Sequence, residues 1–246
     1  VIGQLAKEGF KKTDFDKIYA RFYTTNDVEL HNLYEGVSNI EDIPDIHKKC
    51  SDASIMIIRN GVNTILDGVG TVDDLLIEQQ NLTPDKHYWD TRRSKVLNKR
   101  ARFNLCFGDQ GQEADFENGK GTIIELNKTP LTNHLRSKLP EYFGEKSKNL
   151  CVEGNYYYDV KKCGIGFHGD AERRIVIGIR LGEPMPLHYQ WFQYSHPVGE
   201  TLKYMINHGD IYVMSEKATG YDWKKRNRLT VRHAAGCEKY LKVPNK

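Results

Sequence analysis

The stretch that most restricts the fold lies between Asn155 and His233, where short extended runs follow one another at 155–159, 164–168, 174–181, 186–192, 210–215 and 229–233. Gly, Pro and polar clusters separate them, the pattern of strands joined by turns. Many short strands of this kind predict a sandwich or barrel, and a jelly roll is the version that opens a mouth able to hold a metal site. Upstream, Leu131, Leu135 and Leu139 recur at four-residue steps, with Pro130 near the start and Gly144 just past the end, so 130–143 reads as a helix with its leucines in the core. Residues 102–107 alternate like a strand. The expected class is therefore mainly β with flanking helices.

The first ninety residues read differently. Ile55-Met56-Ile57-Ile58 is a buried strand, and the Asn60-Gly61 dipeptide after it supplies the positive φ of a two-residue hairpin turn. A second strand through 63–66 would complete that hairpin. Thr71-Val72-Asp73-Asp74 then marks a helix start with Leu75, Leu76 and Ile77 behind it. These features predict an N-terminal α/β extension over 1–90 and a β-rich domain over 91–246, with a soft boundary near 80–95.

Composition narrows the partners. At 39% hydrophobic and 28% charged residues, the chain of 246 is that of a soluble globular protein. A formal charge of +3 does not announce a polyanion partner, so local clustering must carry that argument. Arg92, Arg93, Lys95, Lys99, Arg100 and Arg102 crowd one segment beside His87, Tyr88, Trp89 and Phe103. Basic groups interleaved with aromatics suit phosphate neutralisation and base stacking; a solvated basic face is the competing reading. The five cysteines are scattered and form no C-x-x-C pair, which argues against structural zinc and a disulfide framework and for reduced thiols. No apolar run approaches membrane length. The expectation is a soluble, intracellular monomer of the cytoplasm or nucleus, with no membrane partner.

One short motif carries chemistry. His168-Gly169-Asp170 offers an imidazole and a carboxylate at i and i+2, which share a face of an extended segment. Two histidines and one carboxylate on one face of Fe(II) form the facial triad of non-haem oxygenases. An H-x-D tripeptide alone is weak and arises often by chance, and a surface loop with an ion pair is its commoner explanation.

Its surroundings raise its standing. Asn155-Tyr156-Tyr157, then Gly164-Ile165-Gly166-Phe167-His168-Gly169-Asp170-Ala171-Glu172-Arg173, resembles the signature of the AlkB-like Fe(II)/2-oxoglutarate dioxygenases. Arg226-Asn227-Arg228-Leu229-Thr230-Val231-Arg232 is similar to that family's closing strand, with two arginines six residues apart around a Leu-Thr pair. The resemblance spans roughly 95–240. It implies a double-stranded β-helix (jelly-roll) core, Fe(II) held by His168 and Asp170, and 2-oxoglutarate as cosubstrate. Asn155 and Tyr157 would hydrogen-bond that cosubstrate, and Arg226 and Arg232 would offer guanidinium forks to its carboxylates. Molecular oxygen would be consumed, and a nucleobase in DNA or RNA would be hydroxylated or demethylated after flipping from the stack. Glu172 matches the position facing the base, and Arg100 and Arg102 lie in the basic stretch expected to meet nucleic acid.

The third ligand departs from the pattern. No histidine occurs between His208 and His233, and the family's usual position holds Gly220-Tyr221-Asp222-Trp223. His233 or Asp222 would complete the site, with His233 preferred because imidazole is the expected donor. If His233 serves, the two arginines leave the anchoring position, and Lys239 or Lys242 becomes the alternative. His188, His196 and His208 are expected to have no part in the site. The competing functions are a dioxygenase acting on a protein side chain or small molecule, and a non-catalytic nucleic-acid-binding module with a degenerate metal site.

Overall fold

The computed structural model describes residues 2–4, 8–41, 43, 46, 50 and 52–244. Its strands are β1 (Ile2–Gln4), β2 (Val28–Asn32), β3 (Ser54–Ile58), β4 (His87–Asp90), β5 (Lys95–Asn98), β6 (Phe103–Gly108) and β7 (Ile123–Glu125). They continue as β8 (Cys151–Tyr156), β9 (Gly164–His168), β10 (Ile175–Ile179), β11 (Met185–Gln193), β12 (His196–Ile206), β13 (Ile211–Met214) and β14 (Thr230–Gly236). The helices are α1 (Lys12–Phe22), α2 (Gly61–Ile65), α3 (Val72–Gln80), α4 (Pro130–Phe143) and α5 (Glu238–Leu241).

The protein is mainly β with flanking helices. An eight-stranded sheet has the order β2-β3-β13-β10-β1-β8-β6-β7, a four-stranded sheet the order β12-β11-β14-β9, and β4–β5 form a separate hairpin. From β8 onward the chain passes between sheets: β8 large, β9 small, β10 large, β11 and β12 small, β13 large, β14 small.

Period-two alternation gives the large sheet two apolar faces. Met56, Ile58, Ile175, Ile177, Ile211 and Val213 lie on one face, against Phe15, Ile18 and Phe22 of α1, Leu75 of α3, and Leu135, Leu139 and Phe143 of α4. Ile55, Ile57, Val176 and Met214 lie on the other, against Leu187, Tyr189, Trp191 and Val231 of the small sheet. Trp191 anchors this inter-sheet layer, with its indole N–H donating to the Leu33 carbonyl at 2.7 Å. Burying an aromatic ring of that size dominates local packing energy, and the hydrogen bond removes the penalty of hiding its N–H.

Helix ends follow their local chemistry. Thr71 and Asp74 form a reciprocal capping box at the start of α3. Thr129 provides no side-chain cap for α4; instead the Glu78 carboxylate accepts from the Leu131 and Thr132 backbone N–H groups at 2.8 and 3.0 Å. A carboxylate there also suits the positive end of the helix dipole. Gly144, at φ 84°, ends α4 as the sequence predicts.

Several expectations need correction. The Asn60-Gly61 pair does not turn a hairpin, and 63–66 is not a strand. Asn60 is left-handed at φ 54°, and α2 begins at Gly61. The reason is tertiary: a Cβ at Gly61 would stand 2.8 Å from the Ile58 side chain and 3.1 Å from that of Ile211. The glycine permits close approach to the sheet. Strand β8 begins and ends earlier than 155–159. The long strand β12, unforeseen, joins β11 through Tyr194 and Ser195, which take φ of 50° and 70° without any glycine. The first ninety residues contribute β1, β2 and β3 to the large sheet, so the extension shares both sheet and core with the rest. An Arg59 guanidinium ties these parts, bonding Glu29 at 2.6 Å and Asp210 at 2.5 Å.

Candidate metal centre

Strands β9 and β14 pair antiparallel with His168 opposite His233, which places the two imidazoles side by side. Their ring centroids are 4.5 Å apart at an interplanar angle of 61°. Asp170 joins them by a turn rather than by sharing a strand face, because β9 ends at His168. Its carboxylate lies 3.6 Å from His168 Nε2 and 3.9 Å from His233 Nε2. One donor atom from each of the three residues falls within 4.8 Å of the others, a separation that one ion can bridge.

The turn is held from outside. The Asp170 backbone N–H donates to the Thr219 carbonyl at 2.8 Å, linking it to the segment after β13. Gly169 makes this contact possible: a Cβ there would stand 2.2 Å from the Gly220 carbonyl oxygen and 2.7 Å from the Trp223 ring. Only hydrogen fits between His168 and Asp170.

Protonation states suit metal ligation. His168 Nδ1 lies 2.8 Å from the Gly166 carbonyl, which can only accept, so Nδ1 donates and Nε2 is the nitrogen that faces the carboxylate. Burial, reinforced by His168, pushes the His233 pKa down to about 3, which keeps its imidazole neutral. His233 Nδ1 is buried with no hydrogen-bond partner among the described residues. Burial raises the Asp170 pKa, but the His168 hydrogen bond, with His233 and Arg173, outweighs it and holds the group below its ordinary value. Arg173 is itself engaged by Glu153 of β8. Two imidazoles and a carboxylate form a donor set suited to Fe(II) and similar divalent ions.

The other residues singled out from the sequence are more dispersed. Asp222 is buried but held by the Lys217 ammonium at 2.7 Å, outside the cluster. Asn155 accepts from Arg102 Nε at 2.7 Å, which brings two of the expected site residues together. Tyr157 lines a cavity of about 640 Å³ that also reaches Tyr212 and Ala235. Arg100 and Glu172 are exposed. Arg226 is exposed in a loop, and Arg232, next to His233 on β14, points to the opposite face of the strand. Its guanidinium stacks 4.1 Å from the Phe192 ring centroid and 5.2 Å from that of Trp223. Lys239 and Lys242 are exposed, with the Lys239 ammonium over Tyr240. His208 meets Asp73 at 3.2 Å, and the rings of His188 and His196 are not part of the cluster.

Arg180 carries no motif in the sequence. It closes the apolar run Ile175-Val176-Ile177-Gly178-Ile179, and a charge at an inward-facing position of such a strand was the available signal. Gly178, one alternation earlier, has no room for a side chain, since a Cβ would overlap the Tyr212 ring. That ring therefore lies across β10, toward Arg180.

The fold and the cluster thus define a mainly β protein with a His-Asp-His site between two of its small-sheet strands and the turn that follows. Among known sequences, the chain is 45% identical over 246 residues to the uncharacterized protein R156 of Acanthamoeba polyphaga mimivirus, covering 98% of this chain and 90% of the relative. The chain belongs to the family of that mimivirus protein. No protein-family model matches it. Among the described residues, no helix is long and apolar enough to cross a membrane.

Proposed function

We propose that the protein is an Fe(II)- and 2-oxoglutarate-dependent dioxygenase on a double-stranded β-helix, hydroxylating or demethylating a nucleobase in DNA or RNA. The observation that carries this reading is the convergence of His168, Asp170 and His233 from β9, its following turn and β14. These are the two imidazoles and one carboxylate of a facial triad, with burial holding the His233 ring neutral and the Asp170 carboxyl kept below its ordinary pKa before any ion arrives. The passage of the chain between large and small sheets from β8 to β14 supports the jelly-roll assignment. When bound, iron would activate molecular oxygen, the oxidant for breaking a C–H bond, with 2-oxoglutarate oxidised alongside the substrate; the protein positions the substrate and excludes water.

Nucleic acid is favoured by where the basic groups stand. Lys86, Arg92, Arg93 and Lys95 are exposed on or beside the β4–β5 hairpin, and Lys86 and Phe103 border the cavity. Phe103 stacks on Tyr158 at 4.4 Å, with Tyr158 half exposed, an aromatic platform at the cavity edge. Lys224, Lys225, Arg226 and Arg228 form a second exposed basic loop directly after Trp223, which packs on the Asp170 turn. Neutralising several phosphates makes affinity fall steeply with salt.

Anaerobic titration tests both parts. Wild type with Fe(II) and 2-oxoglutarate is expected to show the weak visible charge-transfer band of a chelated keto acid, lost in His168→Ala. A wild-type protein without the band sinks the 2-oxoglutarate reading. Oligonucleotide affinity unchanged between low and high salt removes the nucleic-acid substrate and leaves a protein side chain or small molecule.

A further inference from the structure

The layer between the two sheets hides a hydroxyl with nothing to bond. Tyr189 of β11 is fully buried, and its Oη has no hydrogen-bond partner among the described residues. An O–H taken out of water without a partner costs stability, which is why nearly every such group in a folded protein is paired. Phenylalanine would fill the same apolar space beside Leu187, Trp191 and Val231 and carry no such cost. The hydroxyl therefore needs an acceptor that comes within reach in another state of its surroundings.

Those surroundings are the metal cluster. Tyr189 is directly opposite His233 in the β11–β14 pair, and His233 is opposite His168 in the β14–β9 pair. Residues opposite one another on neighbouring strands share a face, so the three side chains form a row across the small sheet. The Tyr189 and His233 ring centroids are 5.9 Å apart. A phenol oxygen stands further from its backbone than either imidazole nitrogen, so it reaches past the His233 ring. Burial, then Tyr212 and Tyr204, and then the Asp170 carboxylate raise the Tyr189 pKa, which sets that carboxylate close to the phenol. In the metal-free site the two Asp170 oxygens are shared between His168 Nε2 and His233 Nε2, at 3.6 and 3.9 Å. An ion that takes both nitrogens and one oxygen leaves the other oxygen buried and without these neighbours, and a ligating carboxylate is ordinarily held by a further donor. Arg173 is already engaged by Glu153. Tyr212 borders the large cavity, where solvent serves its hydroxyl, and Tyr204 stacks on His31 at 4.7 Å, on the β12 side of Tyr189.

We propose that Tyr189 is a positioning residue of the His168, Asp170 and His233 site, its hydroxyl donating a hydrogen bond to the Asp170 oxygen that a bound divalent ion leaves free. This role rests on the metal centre of the proposed function and is independent of the cosubstrate and of the substrate. The hydroxyl then fixes which carboxylate oxygen meets the ion, and metal binding satisfies a group that the metal-free protein leaves unpaired.

Two measurements on three proteins test it: the melting temperature of the metal-free chain, and Mn(II) affinity by calorimetry, in wild type, Tyr189→Phe and Tyr204→Phe. Metal-free Tyr189→Phe is expected to melt at the wild-type temperature or above it, because the lost hydroxyl had no partner. Its Mn(II) affinity is expected to fall by about tenfold or more, the scale of a lost partner to a metal ligand, while Tyr204→Phe binds Mn(II) as wild type does. A hydroxyl with a purely structural role would give the reverse, a lower melting temperature and unchanged affinity. Metal-free Tyr189→Phe melting more than about 2 °C below wild type overturns the role whatever the affinity, since the hydroxyl is then bonded within the metal-free protein. Equal Mn(II) affinity in wild type and Tyr189→Phe, or an equal loss in Tyr204→Phe, overturns it and leaves the metal centre standing. A wild type that takes no Mn(II) sinks the metal centre and this role with it.

Discussion

Replacing Gly169 by alanine isolates the role of the turn between the two metal-ligand candidates. The backbone at Gly169 is not in the left-handed region, so alanine meets no dihedral penalty, and reduced freedom of the unfolded chain would favour the variant by about 0.4–1 kcal/mol. Any loss must therefore be steric. The new methyl would sit 2.2 Å from the Gly220 carbonyl oxygen and 2.7 and 2.8 Å from two Trp223 atoms. Ordinary contact is about 3.5 Å, so the turn and the 217–223 segment must separate by roughly 1 Å. The Gly220 oxygen is backbone, and no rotamer change can move it aside. Overpacking of this kind costs typically 1–3 kcal/mol. Metal geometry is less tolerant, since a site must hold its donors within about 0.5 Å. Urea denaturation should show the variant less stable by about 1–2 kcal/mol, and Mn(II) calorimetry should show affinity lower by at least about tenfold, the scale of disturbed ligand support. A variant with wild-type stability and wild-type metal affinity would refute the argument that this contact positions Asp170.

Two further outcomes follow from buried charges away from the cluster. Asp222→Asn leaves the Lys217 ammonium, now bonded at 3.0 Å only to the Leu229 carbonyl and a neutral amide, without its counter-charge; stability should fall by about 3 kcal/mol in urea, while Mn(II) affinity stays at the wild-type value. The Arg59 hydrogen bond, against a smaller effect of burial and with help from His31, holds the Glu29 carboxyl below its ordinary 4.5. A lowered native pKa adds stability that is present above pH 4.5 and fades as pH falls below it, so Glu29→Gln should flatten the decline of Tm as pH falls below about 4.5.

The strands and helices that the sequence announced are those whose signals are local. The short extended run Gly164–His168, set off by its flanking turn residues, and the four-residue leucine spacing in Pro130–Phe143 depend on residues in or beside the element, and both appear with those bounds. Strand β12 was hidden because its turn uses Tyr194 and Ser195 at positive φ, where no glycine or asparagine marks the spot. Asn60-Gly61 misled because the glycine serves contact with Ile58 and Ile211, residues distant in sequence from each other. The H-x-D motif was legible as a pair of donors, and the register that sets His233 opposite His168 was not, since it arises from pairing across 65 residues (233 − 168). Arg232 illustrates the same limit: adjacency to His233 guarantees the opposite strand face, which becomes informative only once His233 is known to face inward.

Strand β1 sits inside the large sheet with β8 on one side and β10 on the other. Gly3 pairs with Cys151 and Val176, partners made 148 and 173 residues later (151 − 3 and 176 − 3). At a translation rate of about 5–20 residues per second, roughly 10–35 seconds separate the synthesis of β1 from that of its second neighbour. During that interval β1 lacks one or both of its neighbours, so its own edges stay open until β8 and then β10 emerge. An open strand edge is a template for pairing with another chain. Temperature and expression rate during synthesis should therefore govern the yield of this protein more strongly than the equilibrium stability of the finished molecule does.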